Sequence, residues 1–197
     1  LPGSGCDLAE HPYSEMPNDA VVKFIFVGRV MKLKGIDEYL ECAKYVTAKY
    51  SNAKFYIAGW NEELEYKEIV AKYQEAGYVE YLGYRKDVAE CIKKCHCTIL
   101  PSHGGEGVPN VLLESSATGR ICIASDINGS KDVIEDGKTG YLFKTGNAES
   151  LIEQVEKVIA MLPEQRTEMG KAGRAKIEKE FDRNIVIAKY EREVENS

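Results

Sequence analysis

Two glutamates frame a glycine-rich stretch in the middle of the chain. Glu106 follows Gly104 and Gly105, and Glu114 comes eight residues later, within a helical pattern of apolar and small residues. A carboxylate accepts charge-assisted hydrogen bonds, and the paired hydroxyls of a sugar or ribose supply suitable donors. The spacing, about two helical turns, places both acids near one helix start. The pattern therefore indicates a hydroxyl-binding site, although a surface loop with one capping and one solvated glutamate would show the same spacing.

The residues around these acids also predict an anion site. An apolar run, His96 to Leu100, indicates a buried strand before the glycine-rich loop. Pro109 suits the start of the following helix, because its missing N–H needs no partner there. The unpaired N–H groups and the dipole at a helix start attract phosphate. Strand, loop and helix in this order therefore predict that backbone groups point at a bound anion.

A second candidate for phosphate binding follows the first predicted strand. Val21 to Val27 is apolar and ends at Gly28, and Arg29 and Lys34 precede a helix predicted from about Ile36 to Tyr50. Ligands of doubly wound sheets bind at the carboxyl ends of strands. A guanidinium fork and an ammonium group there suit a diphosphate. The residues alone leave a solvated basic loop as the alternative.

These motifs resemble those of one enzyme family. The run EGVPNVLLE…ATGR, with seven residues between Glu106 and Glu114, is similar to the E-x7-E motif of retaining GT-B glycosyltransferases of family 4, also called group 1. The segment from Gly28 to Gly35 resembles their G-R-x4-K-G diphosphate clamp. The resemblance covers nearly the whole chain. It implies the C-terminal, donor-binding domain of an enzyme that builds capsule, O-antigen, exopolysaccharide or lipid-linked glycans.

The resemblance implies a role for each motif residue. Arg29 and Lys34 would hold the donor diphosphate and stabilise it as it leaves. Glu106 would hold hydroxyls of the donor sugar, and Glu114 would hold the ribose. Further donor contacts are expected at the loops and at the helix start, from Gly28, Gly107, Val108, Pro109, Asn110 and Val111, and from Tyr84 and Arg85 beside the nucleobase.

The implied reaction is transfer of a hexose from a nucleotide-sugar, a UDP-sugar first of all, to a glycan or lipid-linked acceptor with retention of anomeric configuration. The acceptor would be bound mainly by an N-terminal domain that this sequence lacks, so the chain alone is expected to be inactive. No metal or other cofactor is expected, because the helix dipole would do the work of a metal ion. Two alternatives remain: a nucleotide-binding module without transfer activity, and a GT-B nucleotide-sugar epimerase, which the motif pair fits less well.

Composition narrows the possible partners. The 197 residues are 44% hydrophobic and 29% charged, which is ordinary for one globular domain. The net charge of −6 argues against nucleic acid and against a strongly cationic membrane patch. No apolar stretch is long enough to span a bilayer, and no signal peptide is found. We expect a cytoplasmic protein whose full-length form associates with the inner membrane only peripherally, through its acceptor.

The six cysteines indicate free thiols of a reducing cytosol. Cys91, Cys95, His96 and Cys97 lie close together, but their spacing is poor for zinc because the first two would end a helix and Cys97 would enter a strand. Packed thiols are therefore the favoured interpretation. Trp60, alone after a strand, is likewise predicted to be a packing residue, with a place beside the nucleotide as the alternative.

Strands alternate with helices along the chain, which predicts an α/β fold with a Rossmann-like parallel sheet flanked by helices, the C-terminal half of a GT-B fold. No G-x-G-x-x-G follows the first strand, which argues against a dinucleotide cofactor. We assign residues 1–20 to a segment entering from the missing N-terminal domain, 21–180 to the nucleotide-sugar-binding domain, and 181–197 to a helix that would cross back. Asp126 to Lys131 is predicted as a turn-rich link, with a short helical turn over Asp132 to Glu135.

Overall fold

A computed structural model describes residues 3–105 and 107–195, with side chains as far as residue 192. Within these ranges the strands form one parallel sheet: β1 Val22–Val27, β2 Ala53–Ala58, β3 Glu80–Gly83, β4 Cys97–Leu100, β5 Ile121–Ser125 and β6 Gly140–Phe143. A 3-10 turn spans Lys32–Lys34. The helices are α1 Ile36–Lys49, α2 Glu65–Glu75, α3 Val88–Lys93, α4 Asn110–Ala117, α5 Asn128–Val133, α6 Ala148–Ala160, α7 Pro163–Glu180 and α8 Arg183–Glu195.

The strand order places a crevice at the centre of the sheet. The order is β3-β2-β1-β4-β5-β6, so the chain first builds outward from β1 and then returns to its other side at β4. Loops that leave β1 and β4 consequently diverge to opposite faces, and ligands of such sheets bind between them. The predicted α/β, Rossmann-like sheet flanked by helices is confirmed.

Apolar layers cover both faces of the sheet. On the face of α1, α2 and α6, the rings of Phe24 and Phe55 stack with centroids 4.9 Å apart, and Tyr39 packs edge-on against Phe55. On the face of α4 and α7, Leu112 and Ile177 are fully buried. Burial of this kind is the main favourable contribution to folding. It makes the sheet a rigid base for the loops at its carboxyl edge.

The prediction for residues 126–135 is wrong. A helix, α5, spans Asn128–Val133, where a turn-rich link was expected. Asn, Gly and Ser favour turns in isolation. Here Gly129, Ser130 and Val133 are buried, and α5 packs against α4. Tertiary packing thus outweighs the weak local preference.

The cysteines are free thiols, and all except the half-buried Cys91 are buried. Burial raises the pKa of Cys95 and Cys122 to about 12. His96 lies among them, and its Nδ1 accepts a hydrogen bond of 3.1 Å from the main-chain N–H of Lys23. Among the residues that the structure describes, no three His, Cys, Asp or Glu side chains form a group able to hold a metal ion.

Arginines hold the N-terminal segment against the domain. The fully buried Arg120 donates to the carbonyl of Glu15 at 2.8 Å, and Arg174 donates to the carbonyl of His11 at 2.9 Å. Burial lowers the pKa of Arg120 to about 10. Closer to the N-terminus, Cys6 forms a parallel bridge with Asp182, just before α8. In the described ranges no helix is both long and apolar enough to cross a bilayer.

Gly35 controls the approach of α1 to the crevice. It precedes the first residue of α1 with φ of 74°, in the left-handed region. A Cβ at this position would lie 1.9 Å from the carbonyl oxygen of Pro101, which follows β4. Only glycine fits both the conformation and the contact.

We expect Gly35→Ala to lower the free energy of unfolding by about 3 kcal/mol, from left-handed strain plus overpacking against a carbonyl. Gly77→Ala is the matched control, because Gly77 has φ of 79° but no atom within 4 Å of its Cβ position. The control should lose only about 1–2 kcal/mol. Urea denaturation followed by circular dichroism measures both. Equal losses would show that the Pro101 contact contributes nothing.

Candidate functional site

Glycines bring the carboxyl ends of three strands into direct contact. The N–H of Gly28 donates to the carbonyl of Ala58 at 3.0 Å, and the N–H of Gly59 donates to that of Gly83 at 2.9 Å. A Cβ on Gly59 would lie 1.7 Å from the carbonyl oxygen of Gly28. The loops after β1, β2 and β3 therefore meet through bare backbone, which leaves main-chain groups accessible at this edge.

The structure brings Arg29 and Lys34 together on the loop after β1. Arg29 is exposed, and its Nη1 lies 3.8 Å from Oε1 of Glu62, a neighbour that sequence reasoning missed. Lys34 is half-buried. Its pKa is lowered first by burial and then by the positive charge of Arg29. Two cations that repel each other in this way favour a polyanion between them.

The loop from β4 to α4 has exposed main-chain groups and open space beside its glycines. Gly104 and Gly105 have φ of 143° and 72°, and no atom lies within 4 Å of the Cβ position of either glycine or of Gly107. Pro109 is the extended residue before α4, and its carbonyl accepts from the N–H of Leu112 at 3.1 Å. The first N–H groups of α4, at Asn110 and its neighbour Val111, have no acceptor within the helix. This arrangement suits a bound anion.

Glu106 lies outside the described residues, so its predicted contact with the donor sugar stays a prediction. Val108 is described, and it lies beside the N-terminal segment. A Cβ on Gly3 would be 3.2 Å from the Cβ of Val108. The start of α4 is therefore bordered on one side by this segment.

Glu114 lines a cavity of about 90 Å³ between α4 and the N-terminal segment. Burial raises the pKa of the Glu114 carboxyl, the nearby His11 opposes this rise, and Glu10 adds to it. Nδ1 of His11 is buried and has no hydrogen-bond partner among the described residues. Ser4 and Arg183 also line the cavity. No sequence motif pointed to His11, because its proximity to Glu114 arises only from the fold.

The side chains of Tyr84 and Arg85 make different contacts. Tyr84 is 64% exposed, and its ring lies edge-on to Trp60 with centroids 5.8 Å apart. Trp60 is itself 46% exposed, so its prediction as a packing residue is wrong. The guanidinium of Arg85 is bonded to both carboxylate oxygens of Asp87, at 2.8 and 2.6 Å. Tyr84 is thus available at the crevice edge, while the charge of Arg85 is already matched.

The two loops of the crevice are joined directly. The N–H of His103 donates to the carbonyl of Leu33 at 2.9 Å, next to Lys34. Its ring Nε2 lies 3.0 Å from Oε1 of Glu38 in the first turn of α1. Glu38 was not identified from the sequence. The basic loop after β1, the glycine-rich loop and the start of α4 therefore form one continuous surface.

Comparison with known proteins identifies relatives of this chain. A sequence profile described as "Glycosyl transferases group 1" matches residues 11–176. The N,N'-diacetylbacillosaminyl-diphospho-undecaprenol alpha-1,3-N-acetylgalactosaminyltransferase of Campylobacter jejuni is 29% identical over 167 residues, 84% of this chain and 42% of that protein. The capsular polysaccharide biosynthesis glycosyltransferase CapM of Staphylococcus aureus is 26% identical over 185 residues, 92% of this chain and 48% of that protein. The chain thus spans about half the length of these relatives.

Solved structures share the fold. HepE of Anabaena, in complex with UDP-glucose, superimposes with a TM-score of 0.82 at 17% identity, over 98% of this chain and 56% of that one. The C-terminal domain of a glycosyl transferase group 1 family protein, LpcC of Francisella tularensis, gives 0.77 at 19% identity, over 90% of this chain and 99% of that one. The predicted C-terminal half of a GT-B fold is confirmed.

The raised pKa of Glu114 makes stability depend on pH. A carboxyl whose pKa is higher in the folded state favours folding when protonated, and this contribution is lost as the pH rises through the folded-state value. Glu114→Gln removes the buried charge, so the variant should have a higher Tm than the parent at neutral pH. The difference should shrink below about pH 4, where glutamate is protonated in both states. Thermal unfolding at the two pH values measures the effect.

Glu153→Gln is the control for that comparison, because Glu153 is exposed on α6. It should change Tm little at either pH. A Glu114→Gln variant that is less stable than the parent at neutral pH would show that the carboxylate is stabilised, not strained, in its cavity.

Proposed function

Because this chain belongs to the glycosyl transferases group 1 family, we propose that it is the donor-binding domain of a retaining hexosyltransferase. The complete enzyme transfers a sugar from a nucleotide-sugar to a glycan or lipid-linked acceptor in the synthesis of a bacterial cell-surface polysaccharide. The bond from the anomeric carbon to the diphosphate breaks, the acceptor oxygen takes its place on the same face of the sugar, and the proton of the acceptor hydroxyl passes to the leaving diphosphate. The observation that supports this most directly is the pair of cations on the loop after β1, which the hydrogen bond from His103 to Leu33 joins to the loop that leads into α4.

The diphosphate is the group that this surface suits best. Burial lowers the pKa of Lys34 most, and the charge of Arg29 lowers it further, so both cations can act on one dianion, which would compete with Glu62 for Arg29. The first N–H groups of α4 add donors aimed at the same crevice. Arg29, Lys34 and Glu106 are the proposed catalytic residues. The cations stabilise the leaving diphosphate, and Glu106 holds the donor sugar.

The rest of the donor lies along the crevice. Glu114 binds the ribose hydroxyls, and Tyr84 lies against the base, with Arg85 contributing main-chain groups because its guanidinium is engaged by Asp87. The cavity beside Glu114, about 90 Å³, is small for a ribose. The ribose therefore approaches this carboxylate from the crevice side, or the N-terminal segment shifts to admit it. UDP is the proposed nucleotide, and the HepE complexes with UDP and UDP-glucose support that choice by analogy.

The acceptor is inferred from relatives. The Campylobacter jejuni protein is named for a diphospho-undecaprenol substrate, and an Escherichia coli relative is named a GlcNAc-diphosphoundecaprenol galactosyltransferase. We propose an acceptor of the same chemical kind, bound mainly by a domain outside this chain. The complete protein would act in the cytoplasm and reach the inner membrane peripherally through that acceptor. On its own, this chain binds donor and transfers nothing.

No metal ion or cofactor is part of the proposal, since two cations and the α4 start are arranged to neutralise the diphosphate. Nucleotide binding should therefore be unaffected by EDTA. The epimerase alternative is not favoured, because the Campylobacter jejuni, Staphylococcus aureus and Escherichia coli relatives carry names that describe transferases. A binding module without transfer activity is separated from an enzyme by assaying the complete protein for release of UDP in the presence of acceptor.

Isothermal titration with UDP, GDP and ADP tests the donor site. We expect UDP to bind most tightly, and Arg29→Ala and Glu114→Gln each to raise its Kd about tenfold or more, as loss of a charged hydrogen bond predicts. Trp60 is the only tryptophan and lies beside Tyr84, so its fluorescence gives a second signal.

Lys32→Ala is the matched control, because Lys32 is an exposed cation on the same loop. Its Kd for UDP should stay within about twofold of the parent value, since exposed charges contribute little. If Lys32→Ala and Arg29→Ala are both folded and weaken UDP binding equally, UDP is attracted only by the general positive charge of the loop. That result would contradict a specific diphosphate clamp.

A further inference from the structure

We propose that Glu38, acting through His103, is a positioning residue for the diphosphate site. It fixes the point at which the glycine-rich loop leaves β4, and thereby aligns that loop with the basic loop after β1. The inference rests on the proposed function for its ligand, a nucleoside diphosphate. Its geometric basis is independent of that function.

Glu38 is built to require a partner. It lies in the first turn of α1, and its side chain is only 12% exposed. Oε1 meets Nε2 of His103 at 3.0 Å, whereas Oε2 is buried without a hydrogen-bond partner among the described residues. A carboxylate with one oxygen already unpaired loses much more if the other is left unpaired too. The free energy of burying Glu38 therefore strongly favours keeping His103 in place.

The chemistry of the pair also fixes the ring of His103. A carboxylate oxygen only accepts, so Nε2 must carry the proton and donate it to Glu38. The ring is then held in one orientation, with Nδ1 directed away from Glu38. The helix dipole at the start of α1 further favours the negative charge of Glu38.

The main chain of His103 connects the Glu38–His103 pair to the basic loop after β1 and to the glycine-rich loop after β4. Its N–H donates to the carbonyl of Leu33, one residue before Lys34. Its own chain continues into Gly104 and Gly105, whose Cβ positions face open space and which therefore have little side-chain packing to hold them. Two glycines lose more conformational freedom on ordering than any other pair. Their backbone is held by His103 and by the Ser102 hydroxyl, which donates to the carbonyl of Gly104 at 3.4 Å.

Gly35 also contributes to the position of Glu38. Its close contact with Pro101 fixes the distance between the start of α1 and the end of β4. Glu38 follows three residues later and reaches the loop from the helix side. Backbone packing therefore fixes the position of α1. The Glu38–His103 pair then links α1 to the loop that carries Gly104 and Gly105.

A double-mutant cycle tests the proposal in the 197-residue chain. Glu38→Ala and His103→Ala should each raise the Kd for UDP about tenfold, equivalent to about 1.4 kcal/mol. The double variant should be no weaker than either single variant, because both remove the same anchor. Glu38→Gln keeps an acceptor oxygen for Nε2–H, and its Kd should stay within about threefold of the parent value.

Spectra of the chain without nucleotide supply a readout that does not depend on donor binding. With glycine-selective ¹⁵N labelling, the Gly104 and Gly105 amide signals should move in Glu38→Ala and His103→Ala, and should stay in place in Glu38→Gln. Glu41→Ala is the control, because Glu41 is exposed on the same helix. Circular dichroism confirms that each variant is folded.

The outcomes separate the two ideas. If the folded variants leave the Gly104 and Gly105 signals in place, or if the losses in UDP affinity add in the double variant, the positioning role is overturned. If the parent chain binds no UDP while these signals respond to Glu38→Ala and His103→Ala as expected, the anchor is supported and the donor-site proposal fails instead.

Discussion

The contact between Gly35 and the carbonyl of Pro101 is the constraint on which the crevice depends. It brings the start of α1, the helix that follows β1, against the end of β4, and the strand order reverses between β1 and β4. A side chain at this position would force the two elements apart, because the obstacle is backbone and not a movable side chain. The phosphate-binding proposal, the His103 hydrogen bond to Leu33 and the placement of Glu38 all assume this short distance.

Charge is distributed unevenly over the site. Arg29 and Lys34 lie on one side of the crevice. Of the described acids near them, Glu38 is turned toward His103, whereas Glu62 lies 3.8 Å from Arg29 and partly offsets its charge. Two cations are nevertheless concentrated on one loop of a chain whose net charge is −6. Local arrangement, not overall charge, decides which ligand the surface attracts. This separation also explains why composition alone excluded nucleic acid without excluding a nucleotide.

The sequence contained enough information for the sheet and for the basic loop. Apolar β-branched runs such as β1, ending at glycine, mark strands whose carboxyl ends must lie side by side, so the closeness of Arg29 and Lys34 follows from local pattern alone. The pairs Glu38–His103 and His11–Glu114 could not be found in this way. Their members are 65 and 103 positions apart in the chain. No periodicity links them, and only tertiary packing makes them neighbours. For α5 the same packing reversed a local turn preference.

The parallel bridge between Cys6 and Asp182 has a mechanical consequence. It holds the N-terminal segment beside the first turn of α8, and the hydroxyl of Tyr190, two turns along that helix, donates to the carbonyl of Gly3. Tension applied between the N-terminal segment and α8 is carried first by this bridge, by the Asp7–Arg183 ion pair and by the hydrogen bond from the Tyr190 hydroxyl to the carbonyl of Gly3. The six-stranded sheet lies outside that line of force. Under load these contacts would yield before the sheet, and the cavity beside Glu114, which the N-terminal segment lines, would open with them.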